Sequence, residues 1–216
     1  MKAEDWAAHY GNEHGRRRWP NEELVRFAGR RGNVLGDMVL EVGCGDGANL
    51  AFLREYATTV VGMDWSSEAL GLAGKICEGD TYDRIALAKG DARDLSQFET
   101  GAFSGVVDCM VTQHAPWHDH LAAYQGYRRV LMTGGWFWLF HLDNHTASRR
   151  GGNLGSCDWS GLALFPAVKF FCLPHPGALE LVCEQAGFKV LSRYGLQREY
   201  PTCETAHYTV LEMEAK

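Results

Sequence analysis

The sequence predicts an α/β protein in which one doubly wound, mostly parallel sheet carries helices on both faces. Short apolar segments alternate with helical ones between about residues 38 and 142, which is the pattern of repeated β-α-β units. A glycine cluster, Gly43, Gly45 and Gly47, directly follows the first apolar segment, where a strand would turn sharply into a helix. The length of 216 residues and the hydrophobic share of 46% fit one domain with a sizeable core.

The predicted elements follow in order along the chain. Asn21 is the predicted N-cap of a first helix that runs to about Gly29, with acidic side chains in its first turn. Five strands are predicted from β-prone apolar runs, at residues 38–42, 59–63, 85–89, 106–111 and 136–142. Helices are predicted between them at residues 49–56, from Ser66 or Ser67 to about Cys77, and at residues 121–131.

The last third of the sequence departs from this alternation. Pro176 is predicted to begin a helix that ends at Gly187, and two strands follow at residues 189–196 and 206–213. Because only a short connection separates these two strands, they are expected to pair antiparallel. Residues 143–175 contain four glycines and are too long for a simple connection, so we interpret them as an insertion on the substrate side.

Composition and charge argue against several classes of protein. The 21 Lys and Arg residues are outnumbered by 27 Asp and Glu, so the formal charge of -6 offers no broad positive field to a nucleic acid or an anionic membrane. The first residues are charged and lack the apolar core of a signal peptide, and the longest apolar runs are far shorter than the roughly 20 residues of a membrane helix. Seven scattered cysteines without a C-x-x-C pair indicate reduced thiols. We therefore expect a cytoplasmic protein.

The glycine loop predicts a ligand with a nucleoside part. Gly43, Gly45 and Ala48 satisfy a G-x-G-x-x-A pattern, in which bare backbone approaches the ligand and a helix N-terminus offers N–H groups. Asp64 ends the second predicted strand 21 residues after Gly43, where its carboxylate could accept hydrogen bonds from both hydroxyls of a ribose. This combination fits NAD and S-adenosylmethionine (SAM) equally. The alternative for Asp64 is a helix cap before Ser66.

Two further carboxylates distinguish these cofactors. Glu41, two residues before Gly43, would repel a pyrophosphate but could help to hold the cationic methionine end of SAM, directly or through water. Asp91 follows the third predicted strand in a G-D-A triplet, where it could accept a hydrogen bond from an adenine amino group. The alternative is that both are ordinary turn carboxylates. Together with Asp64 they favour a cationic adenosyl ligand.

In these strings the sequence resembles the class I SAM-dependent methyltransferases, in particular their broad small-molecule group. The resemblance covers roughly residues 34–142 and consists of five motifs in order. They are E-V-G-C-G-D-G at 41–47, V-V-G-M-D-W-S at 60–66, A-K-G-D-A at 88–92, F-S-G-V-V-D-C-M at 103–110 and R-R-V-L-M-T-G-G-W-F at 128–137. One departure is Ser104, which stands where the family usually has an acidic residue.

The resemblance implies a Rossmann-like, seven-stranded sheet with an antiparallel last strand, and SAM as the cofactor with S-adenosylhomocysteine (SAH) as its product. Met63 or Trp65 would lie beside adenine, and Asp108 or Cys109 near the sulfonium. The cofactor-binding residues that it implies are Glu41, Gly43, Cys44, Gly45, Gly47, Asp64, Trp65, Asp91, Ala92, Cys109 and, from a segment that closes over SAM, Tyr10.

Histidines after the fourth predicted strand are the candidates for catalysis. Residues 112–120 read T-Q-H-A-P-W-H-D-H and lie at the carboxyl edge of the predicted sheet, where ligands bind in open α/β folds. Methyl transfer from SAM is an in-line displacement, so the protein mainly positions the acceptor and removes its proton where that is needed. His114 is the first candidate for this base or for orienting the substrate, and His118 is the second. The alternative is that His118 and His120 are exposed residues at a helix start.

No metal site is predicted. Two sets of possible ligands occur, namely His114, His118 and His120, and His141, Asp143 and His145. Spacing alone does not bring either set to one face.

Residues 1–33 are predicted to form a helical lid ahead of a methyltransferase domain at 34–216. Tyr10 and Trp19 could cap the site, and Arg16, Arg17 or Arg18 could pair an acidic acceptor, the alternative being a solvated basic turn. No N-P-P-Y or D-P-P-Y string follows the fourth strand, which argues against DNA adenine and protein glutamine as acceptors.

The sequence therefore predicts a SAM-dependent methyltransferase that modifies a small molecule, most readily at oxygen, as a monomer or homodimer. No nucleic-acid or membrane partner is expected. The alternatives are methylation at nitrogen, an NAD-dependent oxidoreductase, which Glu41 opposes, and a SAM-binding protein without transferase activity.

Overall fold

The computed structural model describes residues 6, 10, 19–76, 84–142, 177–199 and 205–216. Within them, seven strands form one sheet in the order β3-β2-β1-β4-β5-β7-β6. The strands are β1 (Gly36–Val42), β2 (Ala57–Asp64), β3 (Ile85–Lys89), β4 (Phe103–Cys109), β5 (Leu131–Leu142), β6 (Phe188–Glu199) and β7 (Thr205–Ala215).

The direction of the strands places a crevice at one edge of the sheet. Strands β1 to β5 run parallel, whereas β7 pairs antiparallel with both β5 and β6. This confirms the predicted mixed sheet with an antiparallel last strand. The strand order reverses between β1 and β4, so the loops that follow these two strands lead away in opposite directions. The crevice between them, at the carboxyl edge, is where ligands bind in sheets of this kind.

Five α-helices are described, and the predicted caps begin two of them. They are α1 (Glu22–Arg30), α2 (Ala48–Leu53), α3 (Ser67–Ile76), α4 (His120–Val130) and α5 (Ala178–Gln185). The Asn21 side chain accepts a hydrogen bond from the Glu23 N–H at 2.9 Å, as expected for an N-cap of α1. Ser66 Oγ accepts one from the Ala69 N–H at 3.2 Å at the start of α3.

Strand β5 shows how the sheet is covered on both faces. Trp136 and Trp138 face α1, where their rings lie 5.0 and 6.3 Å from the ring of Phe27. Phe137 faces α4, where its ring lies 5.6 Å from that of Tyr124. Because both faces of β5 are buried from Gly135 to Leu142, this part of its sequence is apolar and aromatic without the polar alternation of a half-exposed strand.

Several predicted boundaries differ from the structure. Strand β4 ends at Cys109 instead of residue 111, because Met110 adopts a φ of +66°, a left-handed conformation that does not continue a strand. Strand β5 begins at Leu131, five residues earlier than predicted. The last helix begins at Ala178 behind Gly177, and Pro176 lies outside the described residues.

Two predicted parts cannot be compared with the structure. Residues 143–175 and most of the segment 1–33 lie outside the described residues, so the division into lid, domain and insertion stays a prediction. None of the helices in the described part of the chain is long and apolar enough to cross a membrane.

Candidate cofactor and active site

The loop between β1 and α2 follows a backbone path that favours glycine at three positions. Gly43 has a φ of +60°, Gly45 of +58° and Gly47 of +89°. Other L-amino acids lose about 1 to 2 kcal/mol in this left-handed region because Cβ crowds the following carbonyl oxygen. The three glycines therefore form a bare turn at the crevice between β1 and β4.

Two neighbouring side chains lie directly against this glycine loop. A Cβ atom at Gly45 would stand 2.5 Å from Tyr10 Oη, and one at Gly43 would overlap the methyl groups of Val111. Tyr10 comes from the N-terminal segment and Val111 from the turn after β4. The structure thus brings Tyr10 to the same loop as the predicted glycines.

Asp64, the last residue of β2, joins this loop to the start of α3. Its Oδ2 accepts a hydrogen bond from the Gly45 N–H at 2.9 Å, and its Oδ1 accepts one from the Ser66 N–H at 2.9 Å. Burial raises the pKa of this carboxyl group, and the backbone N–H donors offset part of the effect. Asp64 therefore caps the turn before Ser66. The Trp65 N–H also donates to it, so three backbone N–H groups use three of its about four lone-pair sites, which leaves room for a ligand hydroxyl. The Cys44 thiol is buried and lies 3.9 Å from the Gly45 carbonyl oxygen, and the Cys44 N–H donates to the Met63 carbonyl at 2.9 Å.

A buried polar network underlies the glycine loop. Asn49 Nδ2 donates to Glu41 Oε1 at 2.7 Å, and Asn49 Oδ1 accepts from the Asn21 N–H at 2.8 Å. Asn21 Nδ2 in turn contacts Cys109 Sγ at 3.4 Å. The network connects the end of β1 with α2, the start of α1 and the end of β4. Sequence reasoning missed Asn49, although an asparagine in the first turn of an otherwise apolar helix is a signal of a polar contact.

Asp91 follows β3 and is held by an arginine that sequence reasoning also missed. Arg93 donates from Nη2 to Asp91 Oδ2 at 2.6 Å and from Nε to Asp91 Oδ1 at 3.0 Å. Arg93 Nη1 also donates to Asp119 Oδ2 at 2.9 Å. Burial alone would raise the pKa of Asp91, but the hydrogen bonds and charge of Arg93 outweigh it and the pKa lies below its ordinary value. Asp91 is therefore ionised at neutral pH and shares its acceptor capacity with Arg93.

Of the two side chains predicted to lie beside adenine, Trp65 is the one that keeps exposed surface. Met63 is fully buried, and Gln97 Nε2 lies 3.0 Å from its sulfur. Trp65 and Ala92 are both half-buried.

The residues at the end of β4 point to opposite faces of the sheet. Asp108 is completely buried on the α4 side, where Oδ1 accepts from the Val111 N–H at 3.0 Å and Oδ2 from Thr112 Oγ1 at 2.7 Å. Burial raises the pKa of Asp108 to about 6 despite these hydrogen bonds. Cys109 lies on the other face beside Asn21, so of the pair predicted near the sulfonium only Cys109 joins the network under the loop.

His114 lies next to the N-terminal residues that cover the glycine loop. It ends a 3-10 turn, Thr112–His114, directly after β4. Its ring stands edge-on to Trp6 with centroids 5.1 Å apart, and Trp6 stacks on Tyr10 at 6.0 Å. Gln113, which is fully buried, contacts His114 Nε2 through its own Nε2 at 3.3 Å. These rings form a continuous contact from the glycine loop to His114. The other predicted capping residue, Trp19, is 79% exposed.

The other histidines after β4 occupy different environments. The His118 side chain is 82% exposed and pairs with Asp119 at 3.3 Å. His120 is buried, so the alternative that it is an exposed residue is wrong. Its Nδ1 lies 3.2 Å from the Pro116 carbonyl oxygen, and its Nε2 lies 3.5 Å from His141 Nε2. Burial lowers the pKa of His120 to about 4, so this ring is neutral at pH 7.

Among the residues that the structure describes, no three His, Cys, Asp or Glu side chains form a cluster that could hold a metal ion. Asp143 and His145, which belong to one of the two sets of possible ligands, lie outside those residues.

Comparison with known proteins shows what this part of the chain is similar to. The sequence profile described as "Methyltransferase domain" matches residues 39–135, which run from β1 into β5 and include the glycine loop. Among curated proteins the chain is similar to the ubiquinone biosynthesis O-methyltransferase of Paraburkholderia xenovorans (strain LB400), at 30% identity over 119 residues, which are 54% of this chain and 49% of that protein. The chain thus spans about half the length of such curated relatives.

Solved structures support the fold over a greater length. A SAM-dependent methyltransferase from Methanosarcina mazei has a TM-score of 0.67 at 18% identity and covers 84% of this chain and 93% of its own. The N-methyltransferase NodS from Bradyrhizobium japonicum WM9, solved with S-adenosyl-L-homocysteine, has a TM-score of 0.72 at 17% identity and covers 99% and 97%. At these identities the likeness concerns the fold alone. The profile match over residues 39–135 and these folds make the chain similar to SAM-dependent methyltransferases.

Proposed function

We propose that this protein transfers the methyl group of SAM to a small-molecule acceptor. The observation that carries this proposal is the left-handed glycine loop, whose Gly45 N–H is bound by Asp64 at the point where the strand order reverses. Such a loop admits a ligand close to its backbone, and the carboxylate beside it suits a ribose. The methyltransferase profile matches this same part of the chain.

The residues around the loop fit the chemical parts of SAM. Asp64 would accept from the ribose hydroxyls, and the glycine loop with Cys44 would lie against the ribose and methionine parts. Glu41, which Asn49 orients, would hold the cationic methionine end. Trp65, Asp91 and Ala92 would bind the adenine, while Cys109 and Tyr10 would close the site. A site for a pyrophosphate would not place the buried carboxylate of Glu41 beneath the loop.

When bound, SAM supplies an activated methyl group, so the tasks that fall to this chain are orientation of the acceptor and exclusion of water. His114 would contact the acceptor, since it follows β4 at the carboxyl edge and packs on Trp6. His118 is the weaker candidate because its side chain extends into solvent.

We propose oxygen as the methylated atom. The curated relative named above is an O-methyltransferase, and this supports an oxygen acceptor here. Methylation at nitrogen is the second candidate, because the Gln113 amide already contacts a ring nitrogen of His114 that a base would need.

The test combines methyl-labelled SAM with a cell lysate divided into small-molecule and macromolecular fractions. We expect label only in small molecules, and NMR of the product then distinguishes O-methyl from N-methyl. Label in the macromolecular fraction would refute the proposed class of acceptor. SAH binding without transfer to either fraction would favour a binding protein, and NADH binding without SAH binding would favour an oxidoreductase.

Asp64→Ala tests the cofactor site itself. We expect it to weaken SAH binding at least tenfold, or about 1.4 kcal/mol, because the ribose hydroxyls lose an acceptor. Asp37→Ala removes an exposed carboxylate at the amino end of β1 and should leave binding unchanged. Calorimetric titration gives the affinities, and thermal unfolding shows whether each variant is folded. Equal affinities in the two variants would contradict the proposed role of Asp64.

A further inference from the structure

The Gln113 amide is buried between two partners with different hydrogen-bonding requirements. The side chain is fully buried in the turn Thr112–His114. Its Oε1 accepts a hydrogen bond from the N–H of Leu142, the last residue of β5, at 2.9 Å. Its Nε2 lies 3.3 Å from His114 Nε2. The turn after β4 and the end of β5 are therefore joined by one amide.

The Leu142 contact determines which way this amide is oriented. A backbone N–H only donates, so the amide atom that faces it must be the oxygen. In the reversed orientation the amide NH₂ would face the Leu142 N–H, and two buried donors would oppose each other. The other end of the amide is consequently NH₂, which donates to His114 Nε2.

This orientation fixes the proton of the neutral His114 ring. A ring nitrogen that accepts a hydrogen bond carries no proton, so His114 Nε2 is unprotonated and Nδ1 carries the N–H. In this state the lone pair of Nε2 is occupied by Gln113, and Nδ1 has no lone pair to offer. A His114 ring held in this way donates a hydrogen bond and cannot take up a proton until the Gln113 contact breaks.

We propose that Gln113 is a positioning residue that holds His114 as its Nδ1–H tautomer, so that His114 meets the methyl acceptor as a hydrogen-bond donor and not as a base. This proposal rests on the proposed methyltransferase function. It implies an acceptor whose methylated atom already has an available lone pair, such as an ionised acidic hydroxyl group. In that reaction the S–CH₃ bond breaks, the O–CH₃ bond forms, the electron pair returns to sulfur and no proton has to be removed.

The tautomer is measured directly by NMR of the ring nitrogens in uniformly ¹⁵N-labelled protein. The protein has nine histidines, and His114→Asn assigns the signals of His114 by their loss. At pH 7.5 without ligand, we expect wild-type His114 to show a protonated Nδ1 and an unprotonated Nε2. A protonated Nε2 in the wild type would overturn the proposal. This measurement needs no methyl transfer, so it separates failure of the tautomer assignment from failure of the proposed function.

Gln113→Glu is the informative variant because it keeps the length of the side chain and replaces the amide NH₂ by an acceptor. The carboxylate can still accept from Leu142 N–H, but it now favours a proton on His114 Nε2. We expect the ratio of Nε2–H to Nδ1–H tautomer to rise at least tenfold. Gln125→Glu introduces the same charge at an exposed position of α4 and should leave the ratio unchanged. An unchanged ratio in Gln113→Glu would refute the positioning role.

Kinetics then connect the tautomer to methyl transfer. Once an acceptor is found, Gln113→Glu should lower kcat about tenfold or more while its Kd for SAH stays within about twofold of wild type, because His114 turns an acceptor towards the substrate. An equal or higher kcat in a variant with the switched tautomer would show that His114 acts as the base. If Gln113→Glu does not fold, Gln113→Met serves instead, since it removes the hydrogen-bond donor without adding charge. The His114 ring should then no longer be held as the Nδ1–H tautomer, and the share of the Nε2–H tautomer should rise.

Discussion

Gly45 is the residue at which backbone conformation and close contact coincide. Its φ is +58°, and a Cβ there would stand 2.5 Å from Tyr10 Oη. We expect Gly45→Ala to lower the free energy of unfolding by about 2 kcal/mol, from left-handed strain together with the displaced tyrosine. SAH binding should weaken at least tenfold, because the loop and Tyr10 both shift. Urea unfolding and calorimetric titration measure the two effects.

Two further variants separate the causes of this effect. Gly126→Ala in α4 adds a methyl group where no atom lies within 4 Å and φ is helical, so it should raise stability by about 0.5 to 1 kcal/mol. Tyr10→Ala removes the contact with the new methyl group but not the backbone strain. We therefore expect Gly45→Ala to lower the free energy of unfolding less in the Tyr10→Ala protein than in the wild type. A Gly45→Ala protein as stable as wild type would contradict the left-handed loop.

Motifs allowed the loop glycines and Asp64 to be placed from the sequence, whereas the buried amides could not be found that way. The glycines recur at fixed spacing after a strand, and a carboxylate at a strand end has a position that the sheet dictates. Asn49 and Gln113 have roles that depend on partners elsewhere in the fold, such as Leu142, which is 29 residues from Gln113. A single polar residue in an apolar stretch is not part of a periodic pattern, so the sequence does not indicate which distant residue it contacts.

At the scale of elements, the existence of the strands followed from apolar runs, but their ends depend on single backbone conformations. The third predicted strand, at residues 85–89, agrees with β3 in both bounds. The fourth was predicted to end two residues too late because nothing in the string M-V-T indicates that Met110 takes a positive φ. That conformation lets Met110 N–H donate to the Phe140 carbonyl at 2.8 Å, a contact with β5 that the local sequence does not encode.

The attachment of α2 to its neighbours is a property of elements that a mutation can test. Asn49 bonds Glu41 of β1 and the backbone of Asn21 at the start of α1. We expect Asn49→Ala to lower the free energy of unfolding by about 1 to 3 kcal/mol, because a buried carboxylate oxygen and a backbone N–H lose their partner. Asn49→Asp should lower it further, because a second carboxylate then faces Glu41 Oε1 in the core. Urea unfolding at pH 7.5 measures both.

The pH dependence of stability is the control for the two Asn49 variants. Lowering the pH should improve Asn49→Asp relative to Asn49→Ala, since one of two adjacent carboxylates can then bind a proton. If the two variants were equally stable at every pH, Glu41 and Asn49 would not be in contact. SAH affinity should fall in both variants, because Glu41 loses the group that orients it.

For the whole molecule, the alternation of strands and helices followed from many weak local patterns, and the antiparallel pairing of the last two strands followed from the short connection between them. The order of the strands in the sheet was not predicted. The buried titratable groups did not follow, because their environment exists only after both layers of helices have packed. Asp108 and His120 illustrate this on the α4 side of the sheet. Tyr124 lies between them: its ring contacts that of His120, and its hydroxyl shares a hydrogen bond with Thr112 Oγ1, which donates to Asp108.

These two groups make the stability of the fold depend on pH in opposite directions. The pKa of Asp108 is raised from 3.8 to about 6, so its contribution is fully present below pH 3.8 and is lost as the pH rises through 6. The pKa of His120 is lowered from 6.5 to about 4, so its contribution is present above pH 6.5 and is lost as the pH falls through 4. Each contribution to the free energy of unfolding amounts to about 3 kcal/mol. Between pH 4 and 6 one contribution falls while the other rises, so their changes with pH nearly cancel.

Removing one group at a time should reveal the opposing slopes. Relative to wild type, Asp108→Asn should lose up to about 3 kcal/mol of unfolding free energy as the pH falls from 7.5 to 4, because wild-type Asp108 takes up a proton in the folded state and asparagine does not. His120→Phe keeps a ring against Tyr124 and should gain by a similar amount over the same range, because it removes the group that prefers to be protonated in the unfolded chain. Urea unfolding at several pH values compares the slopes, which do not depend on the constant cost of each substitution. Curves parallel to wild type in both variants would mean that neither group is held in the buried environment that sets its pKa.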